Sequence, residues 1–169
     1  MKKIWLFLLT FAFISACASY QPLLSVVSNG VYVAEVKMAN PNKNVGERRI
    51  AQAVRQNLLK SFPVTNHQNY VLTVSIEETE TTLAIEQDAT AERLRLLLNA
   101  VVLLKQRDNK ILSTDLSADA AFNVEDTPFS TESGRTFARE AAARTLSQVI
   151  TQEVTLAVRA HQNQTMPKE

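Results

Sequence analysis

Glycine is scarce in this 169-residue chain: Gly30, Gly46 and Gly134 are the three present, and no two are neighbours. A phosphate-cradling loop or a dinucleotide fingerprint needs several glycines in one turn, so neither can be assembled. Cysteine is scarcer still, with Cys17 alone, which excludes an internal disulfide and a cysteine metal cluster. The two histidines stand in a polar loop after Pro63 (His67) and at a helix end (His161), where imidazole is usually solvated or a C-terminal helix charge. No G-x-S-x-G elbow is present, and no cysteine sits in a nucleophile-base arrangement. The chain therefore reads as a non-enzyme without metal or dissociable cofactor.

Excess charge is also missing. Setting aside Lys2 and Lys3 leaves 16 basic against 17 acidic residues, a formal charge of about −1, which argues against nucleic acid as a partner. The acidic residues Glu77, Glu78, Glu80, Glu86 and Asp88 have irregular spacing and no Gly-bearing calcium loop. They read as a solvated set that protects a strand edge.

One long uncharged run is present, at the N-terminus. Lys2-Lys3 precede Ile4 to Ile14, and Ser15-Ala16-Cys17 follow: a basic head, an apolar core too short to span a bilayer, and a small-residue cleavage region. Ile14-Ser15-Ala16-Cys17 fits the bacterial lipobox, in which the sulfur takes a diacylglycerol and the freed amine an acyl chain. Residues 1–16 are thus expected to be a signal peptide and Cys17 the lipid attachment site. Ala18 is not the Asp that retains lipoproteins in the inner membrane of Gram-negative bacteria, so the expected location is the outer membrane. Residues 17–30, with Pro22 and Gly30, form a tether.

Residues 31–161 read as one domain, with a polar, frayed tail over 162–169. Val31 to Met38 is short, β-branched and aromatic, between Asn29-Gly30 and Asn40-Pro41, which predicts a strand. Ile50, Ala53, Val54 and Leu58 recur on one helix face, and Pro63 stops that helix. Tyr70, Leu72, Val74 and Ile76 alternate with polar residues as a half-buried strand, and the Thr-rich run to Ile85 either continues it or adds a bend. Glu92 to Lys105 fits either period. The turn signal Asp108-Asn109-Lys110, followed by alternation from Ile111 to Val124, favours a hairpin. After Pro128, Ser130-Thr131 offers an N-cap for a helix to about His161, whose buried stripe is Ala138, Ala142, Leu146, Val149, Ile150 and Ala157, flanked by Phe137 and Val154. The order β-α-β-β-β-α implies parallel pairing across the first helix and antiparallel pairing elsewhere. The fold class is an α/β (α+β) two-layer sandwich, a four-stranded mostly antiparallel sheet covered by two helices.

Arg93 and Arg95 share a face of the third strand, being two residues apart. Such a pair could hold the phosphates of an amphipathic ligand, or pair with Glu77, Glu86 or Asp88.

Cys17-Ala18-Ser19-Tyr20-Gln21-Pro22-Leu23-Leu24 is similar to the "C-G-F-R-P-L-Y" opening of the LptE family of lipopolysaccharide-assembly lipoproteins, especially alphaproteobacterial ones, with departures from Ala18 to Gln21. Leu83-Ala84-Ile85-Glu86-Gln87-Asp88-Ala89-Thr90-Ala91-Glu92-Arg93-Leu94-Arg95-Leu96 resembles that family's "L-x-I-x-x-D-A-T-A-x-R-x-R-L" segment. A hairpin and an Ala/Arg-rich helix follow in the family's order. The resemblance implies a lipid-anchored domain that plugs the lumen of an outer-membrane β-barrel, LptD, as an expected one-to-one pair and helps pass lipopolysaccharide to the outer leaflet. It also favours a strand for Glu92 to Lys105. Family members are expected to bind lipopolysaccharide through basic residues near the strand loops; here Glu86-Gln87-Asp88 is acidic, which leaves Arg93 and Arg95 as the nearest candidates. The alternative is a binding module of another envelope-assembly complex.

Overall fold

The computed structural model describes residues 30–40, 45–65, 68–85 and 92–165; the leader, Cys17, the tether up to Asn29, His67, Glu86 and Asp88 lie outside the described residues. Six elements follow in order: β1 (Val31–Met38), α1 (Val45–Ser61), β2 (Tyr70–Ile85), β3 (Glu92–Gln106), β4 (Asn109–Val124) and α2 (Pro128–Thr165). The strands form one sheet in the order β1-β2-β3-β4. β1 pairs parallel to β2, and the remaining pairs are antiparallel. Both helices lie on one face, α1 against β1 and α2 against β3 and β4, and they touch each other. The expected two-layer α+β sandwich is the observed fold.

Alternation carries the sheet. Tyr70, Leu72, Val74 and Ile76 on β2, and Leu96, Leu98, Ala100, Val102 and Leu104 on β3, are buried under the helices, while their odd-numbered neighbours take the open face. β3 is thus a strand despite its leucine content. Where alternation breaks, the ladder holds an extra residue. On β1 the register shifts between Val33 and Glu35, so Val31 and Val33 face inward before the shift, and Val36 and Met38 after it. An extra residue changes the parity of a strand without unpairing it. β2 runs on through the Thr-rich stretch to Ile85, with a second shift between Thr82 and Ala84. That stretch therefore continues the strand, with one extra residue in its ladder.

The hairpin turn begins one residue earlier than Asp108-Asn109-Lys110. Gln106 pairs with Asn109, so Arg107 and Asp108 turn the chain, and Arg107 takes φ 53°. A non-glycine residue there is uncommon; the surplus residue is absorbed by a register shift next to Lys105, which pairs with Lys110.

Helix α1 buries Ile50, Ala51, Val54 and Leu58. It ends at Ser61 because Pro63 disfavours helical backbone at Phe62, whose ring is itself buried. Helix α2 starts earlier than the Ser130-Thr131 pair suggests. Thr127 is the cap: its Oγ1 accepts from the Ser130 backbone N–H at 3.2 Å, and Pro128 takes the first helical position, where its missing N–H costs nothing. Thr131 instead ties back to Glu125, accepting from its N–H at 2.9 Å. The helix continues past His161 to Thr165.

The buried side of α2 is wider than one stripe, because the helix touches β3, β4 and α1. Ala138, Ala142, Leu146, Ile150, Val154 and Val158 are buried, and beside them so are Ala143, Ser147, Thr151 and Thr155. Val149 and Ala157 are half-buried. Two of the buried hydroxyls satisfy themselves locally: Ser147 donates to the Ala143 carbonyl at 2.6 Å and Thr151 to the Ser147 carbonyl at 2.7 Å. Back-bonding of this kind lets a short polar residue occupy a buried helix position.

Candidate functional site

The molecule has two poles. At one, Gly30 begins β1, and its carbonyl accepts from the Asn69 and Tyr70 amides at 3.0 and 2.9 Å. The end of α2 is fixed there: the His161 ring stands edge-on to Tyr70 at 6.2 Å, and its Nε2 lies 2.8 Å from Gln106 Oε1. His161 is thus a half-buried packing residue and not a solvated one. Burial raises the Tyr70 phenol above its usual pKa.

The opposite pole, some 50 Å along the 16-residue β2 by strand rise, holds the ends of β2 and β4 and the starts of β3 and α2. The β2–β3 hairpin projects there beyond β1, whose pairing ends at Ile76. Arg93 and Arg95 stand on the open face at this end, as period-two spacing predicts. Arg95 Nε donates to Asp119 Oδ2 at 3.0 Å, with both side chains nearly half exposed. This is a diagonal cross-strand pair, since Arg95 lies opposite Ala121 and Asp119 opposite Leu97. Hydrogen bonding to Asp119 and its charge raise the Arg95 pKa. Its partner is therefore on β4, outside the anticipated set Glu77, Glu86 and Asp88. Arg93 is exposed and forms no ion pair among the described residues.

Glu78 and Glu80 were expected in a solvated edge set; they point instead into the helix layer. Arg139 donates through Nε and Nη2 to Glu78 Oε1 at 3.0 and 2.9 Å, and only 5% of the Glu78 side chain is exposed. Arg135 reaches Glu80 at 2.9 Å, pairs with Glu132, and lies over the Phe122 ring at 5.4 Å. Burial opposes the charge on Arg135, but hydrogen bonds and charge from Glu132 and Glu80 outweigh it and raise the pKa. These contacts clamp the projecting hairpin to α2. No group of three or more His, Cys, Asp or Glu placed to hold a metal occurs among the described residues.

Three apolar side chains at this pole are exposed: Phe129 at 82%, Phe137 at 70% and Leu83 at 49%. Phe137 was expected beside the buried stripe, but its ring faces outward, one position before buried Ala138. Large exposed apolar groups suit an amphipathic ligand or a protein partner. No described helix is long and apolar enough to cross a membrane.

No family model matches the sequence, and no curated protein does. Solved structures do match. A Caulobacter crescentus protein assigned as a lipoprotein shares 13% identity, covering 88% of this chain and all of its own at a TM-score of 0.58. A hypothetical protein from Chlamydia trachomatis matches at 12% identity, 78% of this chain, 99% of its own and TM-score 0.54. An uncharacterized lipoprotein B from Nitrosomonas europaea matches at 9% identity, 85% of this chain, 95% of its own and TM-score 0.53. At such identities the likeness is one of fold, and it extends along nearly the whole of each of these proteins.

Proposed function

We propose that this chain is an outer-membrane lipoprotein, anchored through acyl chains on Cys17, that partners and plugs an LptD-type β-barrel and assists assembly of lipopolysaccharide into the outer leaflet. The observation that carries the reading is the end-to-end fold likeness to bacterial lipoproteins, lipoprotein B among them, in a chain with a lipobox at Cys17 and the Leu83-to-Leu96 segment. The role is non-enzymatic and one barrel takes one copy. Several acyl chains on one residue, at about 0.8 kcal/mol per buried methylene, make the anchor effectively permanent.

The pole far from the tether is the end that meets the barrel and the lipid. Arg93, exposed and outside any described ion pair, and Arg95, held by Asp119, are the proposed phosphate contacts. Mild-detergent extraction of outer membranes should co-purify one large barrel with this protein; recovery of the lipoprotein alone would sink the reading. Alanine at Arg93 and Arg95 together should weaken lipopolysaccharide binding by the purified protein and leave barrel co-purification intact. Unchanged lipopolysaccharide binding would remove both residues from the site.

A further inference from the structure

Helix α1 carries four cations, Arg48, Arg49, Arg55 and Lys60, against one carboxylate. All four are exposed, and none forms an ion pair among the described residues. Arg48, Gln52 and Arg55 are spaced i, i+4, i+7, so they fall on one stripe. That stripe borders an open groove of about 700 Å³ between α1 and β1, with Lys37 on its far wall and Val36, Met38 and Ala51 among its apolar lining. Lys37 is held by Glu35 at 3.1 Å, and Arg55 Nη1 reaches the Ala34 carbonyl at 3.4 Å. In a mature chain with near-zero net charge, this is a concentrated positive face over an apolar floor.

We propose that the α1–β1 groove is a second membrane contact, which takes anionic phospholipid headgroups of the leaflet holding the anchor. The proposal rests on the lipid-anchored reading of Cys17. Cations beside an apolar floor match a headgroup phosphate above its glycerol and upper acyl carbons, whereas an acidic protein surface would need the cations alone. The groove also lies within reach: it opens roughly 20 Å along β1 from Val31, and a tether of about a dozen residues spans at most roughly 45 Å. Each cation near an anionic surface strengthens attachment about fivefold, so the contact orients the domain and does not replace the anchor.

The test uses the lipidated full chain in vesicles of phosphatidylcholine alone or with about 30 mol% phosphatidylglycerol. Acylation leaves no free thiol, so a fluorophore on Gln52→Cys reports the groove, and one on Asp115→Cys reports the open sheet face. A headgroup-linked quencher should quench the Gln52→Cys label with phosphatidylglycerol, less so as salt rises from about 0.1 to about 1 M, and leave the Asp115→Cys label unchanged. R48Q/R55Q should abolish the quenching. Quenching that ignores phosphatidylglycerol or survives R48Q/R55Q, or that appears at Asp115→Cys instead, overturns the proposal. If Cys17 reacts with maleimide and the protein fails to float with phosphatidylcholine vesicles, the anchor reading is lost. Flotation of that unlipidated chain with phosphatidylglycerol vesicles then decides the groove: R48Q/R55Q should bind about 30-fold more weakly, and equal binding refutes it.

Discussion

The two helices share a layer but use their arginines in opposite ways. On α2, Arg135 and Arg139 reach carboxylates of β2, Arg144 lies 3.9 Å from Glu140, and Arg159 is also engaged. On α1, no cation is ion-paired among the described residues. A guanidinium tied across the layer and half-buried holds the fold together; one left in solvent contributes little to stability and stays available to a ligand. Charge that is near neutral in sum is therefore sorted by helix into structural and available parts.

Substitutions can break or sharpen that contrast. The largest effect is expected from the packing beneath both helices: Leu146→Ala, at a fully buried position of α2, should cost about 2–5 kcal/mol in denaturant unfolding. Arg139→Ala comes next, because it removes the guanidinium from a carboxylate side chain only 5% exposed; a loss of roughly 3 kcal/mol is expected. Replacing Glu78 and Arg139 together by apolar residues should cost less than Arg139→Ala alone, and a larger cost would show that the pair is not the source of the effect. Thr127→Ala removes the α2 cap and should cost about 1 kcal/mol. Smallest of all, Arg48→Gln and Arg55→Gln should each move stability by no more than about 0.5 kcal/mol, measured on the same denaturation curves.

Much of this arrangement was legible in the sequence, and what was not has physical causes. Period-two alternation found β2 and β4, whereas β3 fits either period and reads as a strand through the turn and alternating run that follow it, which places Arg93 and Arg95 on one face. The turn was misplaced because Asn109 is a better turn residue than Arg107, yet the register shift beside Lys105 sets the connection. Thr127-Pro128 carries a cap signal as good as Ser130-Thr131, and the helix starts from it. Ser147, Thr151 and Thr155 look solvent-facing in one dimension; they are buried because α2 packs on two layers' worth of neighbours. The pairs Glu78–Arg139 and Arg95–Asp119 join residues 61 and 24 apart. Periodicity gives each side chain a face, but the partner on that face depends on helix placement and strand register. The exposed Phe129 and Phe137 had no sequence signal, since an aromatic ring near a buried stripe reads as core.

The division of labour between the helices is tested most directly by headgroup quenching at Gln52→Cys in phosphatidylglycerol vesicles, compared between R48Q/R55Q and R135Q/R139Q. The account predicts that R48Q/R55Q loses the quenching while R135Q/R139Q, though less stable, keeps it under native conditions. Loss in R135Q/R139Q with retention in R48Q/R55Q, or equal loss in both, would contradict it.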